Sequence, residues 1–197
     1  MHTLSATITL PLSVETAFRV ITDLNTLLRL SPFFTLIKFK SSMGGPLRKG
    51  HRYTVTIEYY GNEAVKTHCI EVDAFEMNRS ISYRIEEGAL KNILYEIVPH
   101  EGGIQLTQTF LLQSGDEAVV KGSQSELQFW IKSTGEYLKL TEGKSFFTRL
   151  QRRFMDRVWL RLTLSERNIA IIMAKISILE IVLLLVVVLI WNLGMGR

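Results

Sequence analysis

From Ile176 to Leu193 the chain reads Ile-Ser-Ile-Leu-Glu-Ile-Val-Leu-Leu-Leu-Val-Val-Val-Leu-Ile-Trp-Asn-Leu, with apolar residues on every face of a helix drawn through it. At about 1.5 Å per residue this run makes a helix of roughly 27 Å, close to the hydrocarbon thickness of a bilayer. A segment without an amphipathic stripe cannot be aimed at a soluble core, so lipid is its natural solvent. The expectation is a transmembrane helix spanning about 176–193, within a C-terminal segment 165–197. Glu180 is the charged residue inside that span. It lies five positions after Lys175, too far around the helix for an i,i+4 pair, so it either snorkels to the headgroups or meets a partner helix. Trp191 and Asn192 suit the far interface.

Charge is distributed to match. Residues 1–140 carry 14 Lys/Arg against 15 Asp/Glu, a net of −1, whereas residues 141–197 carry 9 against 4, a net of +5. A neutral body argues against nucleic acid, and a basic membrane-proximal tail favours anionic headgroups. The first residues have neither a basic region nor an apolar run, so no secretory signal is expected. Arg157, Arg161, Arg167 and Lys175 precede the span and Arg197 follows it. That bias predicts a single-pass, C-terminally anchored protein with a cytoplasmic N-terminal body.

The body opens with Leu4, Ala6, Ile8 and Leu10 alternating along a strand. Pro11 ends it, and Ser13 is placed to cap a helix bearing Val14, Ala17, Phe18 and Ile21. A short second helix is expected up to Ser31-Pro32. From Phe33 to Gln113 the apolar period is two, with strands near 33–42, 51–60, 64–75, 80–87, 89–98 and 103–113. Turn residues separate them at Met43–Pro46, Gly61-Asn62, Glu76–Asn78, Glu87-Gly88 and Pro99–Gly103, which makes a meander of hairpins. A long helix over about 116–142 follows, carrying Val119, Leu127, Trp130, Ile131, Tyr137 and Leu138. Gly122 and Gly135 each cost it roughly 1 kcal/mol against Ala, so packing must hold it.

The opening stretch Ile8-Thr-Leu-Pro-Leu-Ser-Val-Glu-Thr-Ala17-Phe18-Arg-Val-Ile-Thr-Asp23-Leu24, with Ser31-Pro32-Phe33 and the closing Gly135-Glu-Tyr-Leu-Lys-Leu-Thr-Glu142, resembles the START-like superfamily. This superfamily, also called SRPBCC, includes polyketide cyclase/dehydrase and lipid-transport proteins. The resemblance covers residues 3–142 and implies an α+β helix-grip fold, a seven-stranded antiparallel sheet curled around a long C-terminal helix. It divides the chain into a START-like domain, 1–142, a basic amphipathic linker, 143–164, and the membrane segment. It also implies a cavity between sheet and long helix. Tyr53, Tyr59, His68, Tyr83, Tyr95 and Trp130 are then the candidates for lining it, an apolar wall with sparse polar atoms.

In the linker, Phe147, Leu150, Phe154, Val158 and Leu162 fall in one helical arc, with Arg149, Arg152 and Arg153 opposite and Arg157 and Arg161 at the boundary. With Lys144 and Trp159 these are the expected membrane-interface residues of a helix lying in the headgroup plane, the alternative being an extension packed on the domain, while Trp191 is the interface residue at the far end of the span. Thr163-Leu-Ser-Glu166 offers a capping box to start the last helix.

No catalytic group can be assigned. The four histidines share no ligand spacing, so no metal is expected. Cys69 points away from its neighbour His68 on a strand and reads as a buried structural cysteine. Glu58, Glu71, Asp73, Glu86 and Glu96 belong mostly to the solvated sheet face. No phosphate loop, dinucleotide fingerprint or nucleophile elbow occurs. The expected function is membrane-tethered binding or presentation of a hydrophobic small molecule: a lipid, quinone, isoprenoid or pigment precursor. The alternatives are an accessory subunit of a larger membrane complex, with Glu180 on partner helices, and a cyclase- or dehydratase-type enzyme.

Overall fold

The computed structural model describes residues 1–42, 44–59, 65–113, 116–143 and 145–195. The expected turn at Gly61-Asn62, the turn residue Met43, the interface candidate Lys144 and the terminal Arg197 lie outside them. Two compact units result, Met1–Arg161 and Leu162–Arg197.

In the first unit, β1 (His2–Leu10) leads to α1 (Val14–Ile21) and α2 (Leu24–Leu30). Six strands follow: β2 (Phe34–Ser41), β3 (Arg52–Tyr59), β4 (Val65–Glu76), β5 (Ser80–Ile85), β6 (Leu90–His100) and β7 (Gly103–Leu112). They form one antiparallel sheet in the order β1-β7-β6-β5-β4-β3-β2, so the first strand closes against the last. Irregularities at Leu36/Lys38, Val72/Ala74 and Leu90/Asn92 break the register. Such bulges increase local twist and bend the sheet. The concave face carries the alternation read from sequence: Tyr53, Val55 and Ile57 on β3, Ile81 and Tyr83 on β5, and Ile104, Leu106 and Phe110 on β7 are all buried.

Along this face runs α3 (Glu117–Glu142), packed on β1 and β7, while α1 lies over β6 and α2 beside β2. Asp116 caps α3 by accepting from the Ala118 N–H at 2.9 Å, and Ser13 caps α1 by accepting from the Thr16 N–H at 3.2 Å. Glu142, at the far end of α3, accepts the Ser13 N–H at 2.9 Å and ties the helix to the first turn. Gly135 sets the approach of α3 to β1, because a Cβ there would stand 2.5 Å from the Ile8 Cδ1.

The linker is not one helix. α4 (Phe146–Arg157) ends at its C-cap Val158, whose N–H donates to the Phe154 carbonyl, and a 3₁₀ turn, Trp159–Arg161, follows. Leu160 in that turn joins the core and Trp159 packs half-buried against it. α4 rests on α3 through one side only. The Tyr137 hydroxyl donates to Asp156 Oδ1 at 2.8 Å, and Arg152 reaches the Thr141 carbonyl at 3.4 Å. The other side presents Phe146 and Phe147, exposed at 74% and 77%, with Leu150 and Phe154.

The second unit is α5 (Leu164–Met195). Its start is a reciprocal capping box: the Glu166 N–H donates to Thr163 Oγ1 at 3.2 Å, and the Thr163 N–H donates to Glu166 Oε2 at 2.7 Å. The segment Ser165–Leu189 is long and apolar enough to cross a membrane. Helical structure thus begins about twelve residues before the expected span, because a helix needs a cap and the cap lies in the polar approach.

Candidate functional site

A cavity of about 290 Å³ lies between the concave sheet face, the end of α2 and α3. Its walls follow from the strand period: Val55, Ile57 and Tyr59 from β3 meet His68 and Ile70 from β4 and Ile93 from β6. Phe34 comes from the β2 edge, and the turn Glu87-Gly88-Ala89 forms one rim. α3 contributes Ser123, Glu126 and Trp130, three or four residues apart and therefore on one stripe of the helix.

Trp130 is the fixed element of the wall. Its indole N–H donates to the Leu27 carbonyl at 3.0 Å, and its ring stands edge-on to Phe34 and Phe110, with centroids 5.7 and 6.0 Å away. The polar atoms are few. His68 is only 9% exposed; its Nε2 lies 3.4 Å from the Tyr59 hydroxyl, and its Nδ1 is buried with no hydrogen-bond partner among the described residues. Burial lowers the His68 pKa and outweighs the opposing influence of Glu87, while Lys66 pushes the same way as burial. Burial also raises the Glu126 carboxyl and, with Glu126 nearby, the Tyr59 phenol. Each shift favours the neutral form of its group. The site is therefore a largely apolar chamber with a few hydrogen-bonding groups on two walls, and Lys66 and Glu87 complete its lining.

Of the six residues expected to line a cavity, Tyr59, His68 and Trp130 do. The other three are spent on packing. Tyr83 donates to the Ile21 carbonyl at 2.9 Å, Tyr95 accepts from Gln108 Nε2 at 2.9 Å, and Tyr53 stacks on His51 at 4.8 Å and lies 5.3 Å from Phe39. Glu126 was not among the expected residues, although its position four before Trp130 places both on one helical stripe. Cys69 is half-buried on the opposite sheet face from His68, not in the core, because successive strand residues point to opposite faces and the core face is the one His68 shares. On the same outer face Glu71 bridges Arg52 and Arg84 at 2.9 and 3.0 Å. No cluster of His, Cys, Asp or Glu suited to a metal occurs among the described residues.

Of the interface candidates, Arg149, Arg153, Arg157 and Arg161 are exposed, whereas Arg152 turns to Thr141 and Asp156. Trp191 is 64% exposed, and Glu180 is exposed on α5.

A sheet gripping one long helix over an apolar chamber defines the helix-grip class. Residues 1–158 match the family described as polyketide cyclase / dehydrase and lipid transport, and the chain belongs to it. No curated protein matches the chain. Among solved structures, protein NE0264 from Nitrosomonas europaea aligns with a TM-score of 0.57 at 13% identity, over 71% of this chain and 96% of its own. TTHA0849 from Thermus thermophilus aligns at 0.55 and 14% identity, over 72% and 100%. An AHSA1-like protein from Aeromonas hydrophila aligns at 0.53 and 12%, over 71% and 94%. These likenesses concern the fold.

Proposed function

We propose that this protein binds a hydrophobic small molecule while tethered to a membrane by α5, its folded body on the cytoplasmic side. The cavity carries the reading: a chamber of about 290 Å³ with largely apolar walls and a few hydrogen-bonding groups at Tyr59, His68 and Glu126. It stands just below the usual range for small-molecule sites, which suits a compact ring or a short chain segment better than a whole diacyl lipid. A quinone headgroup, an isoprenoid end or a pigment precursor has that form. Such a ligand partitions into the bilayer, and tethering raises its local concentration at the pocket without adding a contact.

The exposed side of α4 supports the membrane setting. Phe146, Phe147, Leu150 and Phe154 form an apolar strip with Arg149, Arg153 and Arg157 beside it, the composition of a helix that settles among headgroups.

The test is mass spectrometry of the full-length protein extracted in mild detergent, paired with thermal shift across a panel of quinones, isoprenols and lipids. Ser123→Phe, which places a ring in the cavity from an incompletely buried helix position, is the control. A co-purifying apolar ligand that S123F excludes supports the reading. A protein that carries nothing and shifts with no member of the panel overturns it.

The same polar groups support a second reading, an enzyme of cyclase or dehydratase type, in which His68 and Glu126, both shifted by burial toward their neutral forms, act as proton acceptor and proton donor. Conversion of a bound panel compound by wild type but not by Glu126→Gln would select it over simple binding.

A further inference from the structure

A second recess, of about 780 Å³, opens among α2, the start of β2, α3, α4 and the 3₁₀ turn. Where the ligand cavity is apolar, this one is ionic, lined by Arg29, Arg152 and Arg161 against Asp23 and Asp156. Both acids are already engaged. Asp23 caps α2, accepting from the Thr26 N–H at 3.2 Å and the Thr26 hydroxyl at 2.7 Å. Asp156 accepts from the Tyr137 hydroxyl at 2.8 Å and faces Arg152 at 3.7 Å.

Arg29 is held by its surroundings. Its Nε donates to Asn25 Oδ1 at 3.0 Å, and its Nη1 donates to the Leu160 carbonyl at 3.0 Å. The second bond fixes the guanidinium against the turn that carries Arg161. Partial burial, and then the nearness of Arg161, lower the Arg29 pKa. Two positive groups converging on one recess repel each other, and an anion between them relieves the repulsion.

We infer that this recess binds a phosphate ester, with Arg29 and Arg161 as its paired ligands. The planar guanidinium of Arg161 offers two parallel N–H donors that match two oxygens of a tetrahedral phosphate, and Arg29, oriented by Asn25 and the Leu160 carbonyl, adds its charge beside them. Among the described residues of the lining, three arginines against two aspartates leave one excess positive charge, which suits a phosphodiester. Arg161 stands three residues before α5 in the chain, so a lipid headgroup is one source, on the reading of α5 as a membrane anchor. A soluble phosphate compound is the other, and the chemistry of recognition is shared.

The experiment uses the full-length protein in a phosphate-free maltoside detergent, with binding read by native mass spectrometry. The probes are dioctanoyl phosphatidylglycerol, dioctanoylglycerol with the same chains and no phosphate, and inorganic phosphate as competitor. The expected result is an adduct with phosphatidylglycerol and none with dioctanoylglycerol. Arg161→Gln weakens it roughly tenfold, the worth of one charge-assisted hydrogen bond. Arg161→Lys falls between, because an ammonium lacks the fork. Arg19→Gln, exposed on α1 and outside the recess, leaves binding unchanged. Displacement of the lipid by inorganic phosphate assigns the site to soluble phosphates, and resistance to it assigns the site to headgroups. Equal binding by R161Q, equal losses in R161Q and R19Q, or an adduct that does not depend on phosphate overturns the inference. Arg161 is exposed, so R161Q keeps the fold, and an unchanged melting temperature verifies this. Since R161Q leaves the apolar cavity intact, an empty cavity beside a phosphate-binding recess would sink only the ligand reading.

Discussion

The Tyr59 hydroxyl stands 3.4 Å from Nε2 of His68, although the two residues are not paired across their strands. Val55 is the residue opposite His68, and Tyr59 lies four positions further along β3. The tyrosine must therefore lay its ring back along the sheet, and the two rings meet edge to face with centroids 6.4 Å apart. This arrangement closes one side of the cavity with a hydrogen-bonding pair that carries no charge.

A pH dependence follows from it. Burial lowers the His68 pKa below its ordinary value of 6.5, so the folded protein holds the ring neutral while the unfolded chain takes up a proton near that value. The unfolded state then binds more protons, and stability rises with pH across this window. Stability from His68 is fully present above about 6.5, falls as pH drops through that value, and levels off below the folded pKa. His68→Gln removes the titration. Melting temperatures across this range should show wild type losing more on acidification than H68Q, and parallel curves would refute the assignment.

Trp130 should be the costliest side chain of the cavity to truncate. It is 4% exposed, anchors α3 to α2 through the Leu27 carbonyl, and touches two aromatic rings. Trp130→Ala should lower stability by about 3–5 kcal/mol in denaturant unfolding, the usual cost of deleting a buried aromatic. Trp130→Phe keeps most of the wall but leaves the Leu27 carbonyl unpaired, and should cost about 1–3 kcal/mol.

Two glycines should respond in opposite directions. A Cβ at Gly122, in the exposed first turns of α3, meets nothing within 4 Å. Gly122→Ala should stabilise by about 0.5–1 kcal/mol, the helix propensity difference. At Gly103 the same atom would collide with the Leu10 carbonyl oxygen and come within 2.8 Å of the Pro11 Cα, both backbone. Gly103→Ala must displace the end of β1 and should cost about 1–3 kcal/mol. Chemical denaturation of the two variants beside wild type reads both signs.

Why half the cavity was legible beforehand is a matter of period. Alternation along β3 to β7 shows which side chains face inward, and Tyr53, Tyr59, Tyr83 and Tyr95 all do. It does not show where a helix lies over the sheet and where a gap remains. Tyr83 sits under α1, with its hydroxyl on Ile21, whereas Tyr59 faces open volume, and only the crossing of α1, α2 and α3 decides between them. Glu126 was within reach, since its spacing from Trp130 is helical. The recess at Arg29 and Arg161 was not, because those residues are 132 positions apart and meet only when the 3₁₀ turn folds back on α2. The capping box at Thr163 and Glu166 was legible because it is local.

The exposed strip on α4 gives the last prediction. Phe147 and Leu150 contribute little to the folded body, at 77% and 54% exposure, so replacing both with Ser should leave its melting temperature nearly unchanged. If the strip settles among headgroups, bilayer contact shields the Arg149, Arg152, Arg153 and Arg157 peptide bonds from trypsin. In vesicles containing anionic lipid, the wild-type helix should resist cleavage and the double variant should be cut several-fold faster at these sites. In detergent, where both helices are equally accessible, the two should be cut alike. Equal cleavage of the two in vesicles would show that α4 does not touch the bilayer, and that its apolar strip serves some other contact.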